Sequence, residues 1–180
     1  MTHVAVLVGS LRADSVNRQV AESLKAQAPA GVEIDIVDGL ADVPFYNEDI
    51  DGADVPTAAA ALREQVDKAD RVLVVTPEYN ATMPAVLNNA IDWLSRPYGQ
   101  GAISGKPLGV VGVTPTPYGG KWAHEDTQKS AKIAGAIVVE DVTVSQTSID
   151  VDVLNDPEVQ RKLRGALDTL VAFQPEASAA

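Results

Sequence analysis

The amino-acid sequence predicts an α/β protein with a doubly wound, five-stranded parallel sheet and helices on both faces, in three α/β/α layers. Two observations lead to this fold class. Short apolar runs rich in valine recur along the chain, and segments with apolar residues at helical spacing separate them. Strands that alternate with helices form a parallel sheet through right-handed crossovers, so that helices cover both of its faces.

Five segments are predicted to be strands. The segment Val32–Val37 alternates apolar residues with Glu33 and Asp35, which predicts a half-exposed strand at an edge of the sheet. The other four are continuous apolar runs, too short for helices and typical of strands buried on both faces: His3–Gly9, Arg71–Thr76, Leu108–Thr114 and Ala136–Val139.

Helices are predicted between the strands, where apolar residues recur every three or four positions. Asp156 and Pro157 are suited to cap and open the last helix. The apolar sets are Val16, Val20 and Leu24; Leu87, Ile91 and Leu94, after Pro84; and Val159, Leu163 and Leu167.

Length, charge and cysteine content limit the possible functions. With 180 residues, the chain is expected to form a single domain over residues 1–173, followed by a flexible tail at residues 174–180. The formal charge of −11 repels nucleic acids and anionic membranes, so neither is an expected partner. Because cysteine is absent, redox chemistry would need a cofactor. No segment has the pattern of a signal peptide or membrane span, which predicts a cytoplasmic protein.

Ligands of a doubly wound sheet bind beyond the carboxyl ends of its strands, at the point where strand order reverses. The loops after Gly9, Thr76 and Thr114 are therefore the expected sites. A dinucleotide GxGxxG motif is missing after the first strand, and Gly101–Lys106 is one residue short of a P-loop. An ordinary Rossmann site and a P-loop are both disfavoured.

The first of these loops, Gly9–Arg18, carries hydroxyl, amide and guanidinium groups at the start of a helix. Such groups, with the free N–H groups of a helix N-terminus, are suited to bind a phosphate. A purely structural explanation is also open, in which Asp14 or Ser15 caps the helix and both arginines are solvated.

The other two loops combine aromatic, amide and glycine residues. Tyr79 and Asn80, after the third strand, could stack on and hydrogen-bond to a flat heteroaromatic ring. After the fourth strand, the paired Gly119 and Gly120 allow close approach of the backbone to a ligand. Structural explanations are also open: a proline-initiated turn whose Asn80 tolerates a left-handed conformation for the first of these loops, and an ordinary surface turn of proline and glycine for the second.

Taken in order, four sets of motifs resemble the NADPH-dependent FMN reductase family, which includes flavin, quinone, azo-dye and chromate reductases. The resemblance covers nearly the whole chain. It implies a flavodoxin-like fold, FMN held without a covalent bond, NADPH or NADH as co-substrate, and a homodimer or homotetramer. The motifs are Gly9–Arg12 with Ser15 and Asn17–Arg18, Pro44–Asp49, Pro77–Asn80, and Asn88–Pro97.

The resemblance also implies the residues that bind the cofactor. Around Thr116–Trp122 the sequence departs from the Ser-Gly-rich pattern of the family. This departure affects the expected preference for an electron acceptor more than the expected binding of flavin. The implied residues are Ser10, Arg12, Ser15, Val16 and Asn17 at the FMN phosphate; Pro77, Glu78, Tyr79 and Asn80 beside the isoalloxazine ring; and Thr114, Tyr118, Gly119 and Gly120 in the third loop.

The function that the resemblance implies is hydride transfer from NAD(P)H through FMN to a quinone, a flavin or another small-molecule electron acceptor, by a ping-pong mechanism. The flavin carries the chemistry, so no catalytic side chain is predicted. Two alternatives remain open. One is a flavodoxin-type FMN electron carrier that does not turn over pyridine nucleotide, and the other is a flavin-free binding protein with the same fold.

The two histidines and one amphipathic helix allow further predictions. His3 and His124 are far apart in a chain without cysteine, so no metal site is expected, and His124 is left without a role. The helix that holds Asn88–Trp93 combines an apolar stripe with amides and a large aromatic residue, which suits a dimer interface. Trp93 could equally belong to the core.

Overall fold

A computed structural model describes residues 1–175 of the chain, and the prediction of a tail at 174–180 lies mostly outside them. Its centre is a parallel sheet with the strand order β2-β1-β3-β4-β5, which confirms the doubly wound, flavodoxin-like fold. None of the helices in this part of the chain is long and apolar enough to span a membrane. The strands are β1 (Thr2–Val8), β2 (Val32–Ile36), β3 (Arg71–Val75), β4 (Pro107–Thr114) and β5 (Ile137–Thr147).

Helices cover both faces of the sheet, so the three-layer prediction is also confirmed. Successive side chains of a strand point to opposite faces, and β1 accordingly sends Val4 and Val6 to one core and Ala5 and Leu7 to the other. The first core lies under α1 (Val16–Ala26) and α5 (Pro157–Ala172). The second lies under α2 (Thr57–Asp67), α3 (Ala85–Leu94) and α4 (Lys121–Ile133).

The predicted capping of the last helix is confirmed. The Asp156 carboxylate accepts hydrogen bonds from the backbone N–H groups of Glu158 and Val159, each at 2.9 Å. Pro157 occupies the first helical position, where its missing N–H costs nothing. Helix α5 therefore starts where the sequence predicted.

The fifth strand differs from its prediction. Ala136–Val139 was expected to lie in a strand covered on both faces, but β5 is the second edge of the sheet and is largely half-exposed. It also continues to Thr147, because a shift in its register with β4 lets the chain bulge after Val139 and resume pairing. Val142 then packs against Gly109, where a Cβ atom would lie 2.2 Å from a Val142 methyl carbon.

The apolar stripe of α1 is rotated relative to its prediction. Val16 was expected to be buried, but it is 36% exposed at the first helical position. The buried face consists of Val20, Ala21 and Leu24, preceded by Asn17 rather than by a valine. A polar residue therefore occupies the first buried position of this helix.

Candidate functional site

The three predicted loops meet at one edge of the sheet. Strands β1, β3 and β4 are neighbours and parallel, so their carboxyl ends at Val8, Val75 and Thr114 lie side by side. The strand order reverses between β1 and β3, since β2 lies on the other side of β1. The loops after β1 and β3 therefore flank the crevice where folds of this kind bind ligands.

The loop after β1 presents phosphate-binding groups at the start of α1. Ser15 caps the helix, since its hydroxyl oxygen accepts from the Arg18 N–H at 3.3 Å, and its O–H remains able to donate. Arg12 is exposed and has no ion pair within residues 1–175, whereas Arg18 is paired with Glu22 and Asp38. The structural role predicted for Ser15 is therefore confirmed, and Arg12 is the cation of this loop that is available to an anion.

The side chain of Asn17 is hydrogen-bonded to another part of the fold. It is buried, and its amide group donates to the Val113 carbonyl at 2.8 Å and accepts from the Val113 N–H at 2.9 Å. The amide therefore joins α1 to the end of β4 and does not face the loop. At the helix N-terminus, Asn17 and Val16 can offer a phosphate only their backbone N–H groups.

The loop after β3 is a tight turn closed by two backbone hydrogen bonds between Tyr79 and Thr82, at 3.0 and 3.1 Å. Asn80 and Ala81 at its tip have positive φ angles of 53° and 58°. Asparagine tolerates this conformation well, as the turn interpretation of the sequence expected. Tyr79 is 46% exposed beside the turn and so remains accessible to a ligand.

Glu78 links the second loop to the third. Its carboxylate accepts hydrogen bonds from the backbone N–H groups of Trp122 and Ala123 at 3.0 and 3.1 Å. These groups belong to the first turn of α4, where a negative charge is favoured by the helix dipole. No local sequence pattern predicts this capping role, because Glu78 lies 44 residues before its partner.

The loop after β4 turns sharply at its paired glycines. Gly119 and Gly120 have φ angles of 65° and 89°, and a Cβ atom on Gly119 would lie 2.6 Å from the Ser145 carbonyl oxygen. Thr114 is buried at the end of β4, and the Thr116 hydroxyl is buried without a hydrogen-bond partner within residues 1–175. An unpartnered hydroxyl next to glycines that allow close approach of the backbone suits a ligand that carries polar ring atoms.

His124, to which the sequence assigned no role, lies beneath this loop. It is 1% exposed, and its Nδ1 lies 2.8 Å from the Ser145 hydroxyl. Its Nε2 points towards the Thr76 carbonyl without a well-formed hydrogen bond, in the space left by Gly112. Burial lowers the pKa of His124 to about 4, against the opposing effect of the carbonyl, so the imidazole is neutral at pH 7.

Two residues of α3, Asn89 and Trp93, are buried and serve the core. Trp93 is fully buried, and its indole N–H donates to the Pro44 carbonyl at 2.8 Å, so it does not form an interface. The Asn89 side chain accepts from the Tyr46 N–H and donates to the Pro44 carbonyl. Together they hold the segment after β2 against α3.

A large groove of about 910 Å³ opens beside the second loop, between α3 and α4. Tyr79 lies at one end of it and the 72%-exposed Ile133 at the other. Asp92 and Arg96 lie in its wall, and burial raises the pKa of Asp92 despite the neighbouring guanidinium. The groove is wide enough for a ligand or for a part of another protein chain.

One group of potential metal ligands was not foreseen. His3, Glu33 and Asp35 bring their side-chain ligand atoms within 4.8 Å of one another. They lie near the starts of β1 and β2, at the end of the sheet opposite the three loops. Both carboxylates are exposed, and we assign no metal to them.

Comparison with known proteins gives consistent results along the chain. Residues 2–149 match the model of the family described as NADPH-dependent FMN reductase. A quinone reductase of Pseudomonas putida is 48% identical over 127 residues, which cover 71% of this chain and 68% of that protein. A quinone reductase of Escherichia coli K12 is 44% identical over 117 residues, which cover 61% of this chain and 62% of that protein.

A solved structure extends this similarity to the whole fold. FerB, a flavoenzyme NAD(P)H:(acceptor) oxidoreductase of Paracoccus denitrificans, is 32% identical to the chain, with a TM-score of 0.85 over 95% of this chain and 96% of that one. The chain therefore belongs to the NADPH-dependent FMN reductase family, and it is an oxidoreductase that uses FMN as cofactor and NAD(P)H as co-substrate.

Proposed function

We propose that this protein reduces quinones with NAD(P)H. In the overall reaction, NAD(P)H, a proton and a quinone give NAD(P)⁺ and a hydroquinone, so two electrons reach the acceptor. When bound, FMN would supply the chemistry by taking a hydride from the nicotinamide and passing the electrons on. The observation that carries the proposal is the meeting of three loops at one sheet edge: one with groups suited to bind a phosphate, one with the exposed Tyr79, and one with an exposed tyrosine and paired glycines. The names of the two bacterial relatives support quinones as the acceptor class.

In this proposal, the three loops contact different parts of FMN. The first loop holds the phosphate through side chains and free N–H groups, and the other two enclose the ring system. Their task is to orient the rings, exclude water and place backbone donors near the reduced ring. The residues proposed are Ser10, Arg12, Ser15, Val16 and Asn17, the last two by backbone alone; Pro77, Glu78, Tyr79 and Asn80; and Thr114, Tyr118, Gly119 and Gly120.

A ping-pong order is part of the proposal. The three loops leave one open face at the sheet edge, so NAD(P)H and the acceptor would use it in turn. No side-chain acid or base is assigned, because His124 is buried and neutral at pH 7. Protons would come from water at the open face.

Anaerobic spectroscopy tests this function. The purified protein should carry a visible flavin band that NADPH or NADH bleaches rapidly, and a quinone added afterwards should restore the band without further nucleotide. A protein that binds FMN but is bleached only by a chemical reductant would be an electron carrier instead. A protein without flavin, even after incubation with FMN, would contradict the function altogether.

Arg12→Ala is expected to weaken FMN binding by about tenfold to a hundredfold. The guanidinium would form a charge-assisted hydrogen bond to the phosphate, and the loss of such a bond costs about 1.5–3 kcal/mol. Stability without FMN should change little, because Arg12 is exposed and forms no ion pair within residues 1–175. Titration of apoprotein with FMN, followed by flavin fluorescence, measures the affinity.

Riboflavin, which lacks the phosphate, is the control for Arg12. The wild-type and variant proteins should bind riboflavin almost equally. Equal affinities of the two proteins for FMN would remove Arg12 from the site.

We further propose that the protein is a cytoplasmic homodimer or homotetramer. The exposed Ile133 and the wide groove between α3 and α4 support assembly, because a second copy could cover apolar surface there. Light scattering at micromolar concentration measures the mass of the assembly.

A further inference from the structure

Two aromatic side chains lie against each other in a tilted arrangement at the surface of the third loop. The ring centroids of Tyr118 and Trp122 are 4.6 Å apart with an angle of 49° between the ring planes, and the residues are 58% and 40% exposed. Aromatic residues make up only 4% of this chain, whose net charge is −11. Adjacent exposed aromatic side chains on such a surface are typical of a binding site.

The backbone around the pair is held in place. The Trp122 N–H donates to the Glu78 carboxylate at 3.0 Å, and the Lys121 N–H donates to the Tyr118 carbonyl at 3.3 Å. Gly119, between them, lies against the β5 backbone at Ser145. A surface that is ordered before binding loses little conformational entropy when a ligand arrives.

The pair also bridges the two loops to which the proposed function assigns the flavin ring. Tyr118 belongs to the loop after β4, and Trp122 is joined through Glu78 to the loop after β3. The pair therefore lies beside the open face where an electron acceptor must approach. Its surface is aromatic, and the nearby Lys121 is paired with Glu125 at 3.7 Å.

We propose that Tyr118 and Trp122 form an aromatic wall that binds the acceptor by stacking, and that this wall favours uncharged, fused-ring quinones over single-ring quinones. A second ring gives the ligand more surface to lay against the wall. The negative charge of the protein disfavours anionic acceptors. This inference rests on the proposed function, because it takes the acceptor site to lie beside the flavin.

Binding of menadione to the oxidised, FMN-loaded protein tests the wall without turnover. Isothermal titration should show that the double variant Tyr118→Leu/Trp122→Leu binds menadione about tenfold more weakly than wild type. The matched control, Tyr118→Phe/Trp122→Phe, keeps both rings and should bind within about threefold of wild type. An unchanged affinity of the leucine variant for menadione, or no menadione binding by wild type, would contradict the proposal that the two residues bind the acceptor.

Kinetics then test selectivity. The leucine variant should lose about tenfold in kcat/KM for menadione but less than about threefold for benzoquinone. The single variant Trp122→Leu, which leaves every proposed flavin-binding residue in place, should be bleached by NADPH at the wild-type rate. Equal losses for both quinones, slower bleaching of Trp122→Leu, or a smaller assembly by light scattering would assign the pair to another role and overturn the proposal. A wild-type protein that binds menadione and is bleached by NADPH but reduces no quinone would contradict the proposed function alone.

Discussion

Replacement of Asn17 by Ala should lower the free energy of unfolding by about 2–6 kcal/mol, with or without flavin. The variant would leave the N–H and the carbonyl of Val113 without their side-chain partners in a buried place. A buried polar group that loses its partner costs about 1–3 kcal/mol, and two such groups are involved here. Urea unfolding followed by circular dichroism measures the difference.

Asn17→Asp is the matched control for this effect. The carboxylate can still accept from the Val113 N–H, but it sets a negative charge against the Val113 carbonyl and cannot donate. We therefore expect a loss of stability of similar size in spite of the nearly identical shape.

Measurements of flavin affinity distinguish the role of Asn17 from that of Arg12. Since the Asn17 amide faces β4, Asn17→Ala should weaken the binding of FMN and of riboflavin by the same factor. Arg12→Ala should weaken the binding of FMN alone. If Asn17→Ala kept full stability and lost affinity for FMN only, the amide would serve the phosphate, as the family resemblance first implied.

Acidification should destabilise the protein through His124. Its pKa is lowered to about 4 in the fold, from about 6.5 in an unfolded chain, so the unfolded state takes up the proton first as the pH falls. The contribution of His124 to stability is complete above about pH 6.5 and is lost between that value and pH 4. The expected loss relative to pH 7 is about 2 kcal/mol at pH 5 and about 3 kcal/mol at pH 4.

The comparison with His124→Gln isolates this effect. Glutamine does not titrate and can still hydrogen-bond to Ser145, while the carboxylates that face this region, chiefly Glu78, are common to both proteins. The stability of wild type relative to the variant should therefore fall as the pH drops from 7 to 5. A difference that does not change with pH would mean that His124 has no lowered pKa.

Local sequence patterns were sufficient for most of the fold. The strands β1, β3 and β4 were predicted within one or two residues, because central strands of a parallel sheet are continuous apolar runs. The alternation in Val32–Val37 identified one edge correctly. The other edge was missed: Ala136–Val139 is apolar like a central strand, and the polar residues beyond it hid the continuation of β5 through the bulge.

The position of the candidate site was also predictable, because parallel strands place the loops after Gly9, Thr76 and Thr114 at one edge whatever their details. The roles of several side chains in those loops were not. Ser15 is both a cap and a potential phosphate ligand, and the chain order alone does not separate these two roles.

By itself, the sequence determined the order of strands and helices along the chain, the sheet edge at which the candidate site lies and the family to which the chain belongs. Only the tertiary structure decided which polar groups remain available there. Asn17 meets Val113 across 96 residues of chain, and Glu78 meets Trp122 across 44. A hydrogen bond forms only between groups that lie within about 3 Å of each other. For residues far apart in the chain, that distance depends on how α1 and α4 pack on the sheet. No sequence pattern within either helix determines it.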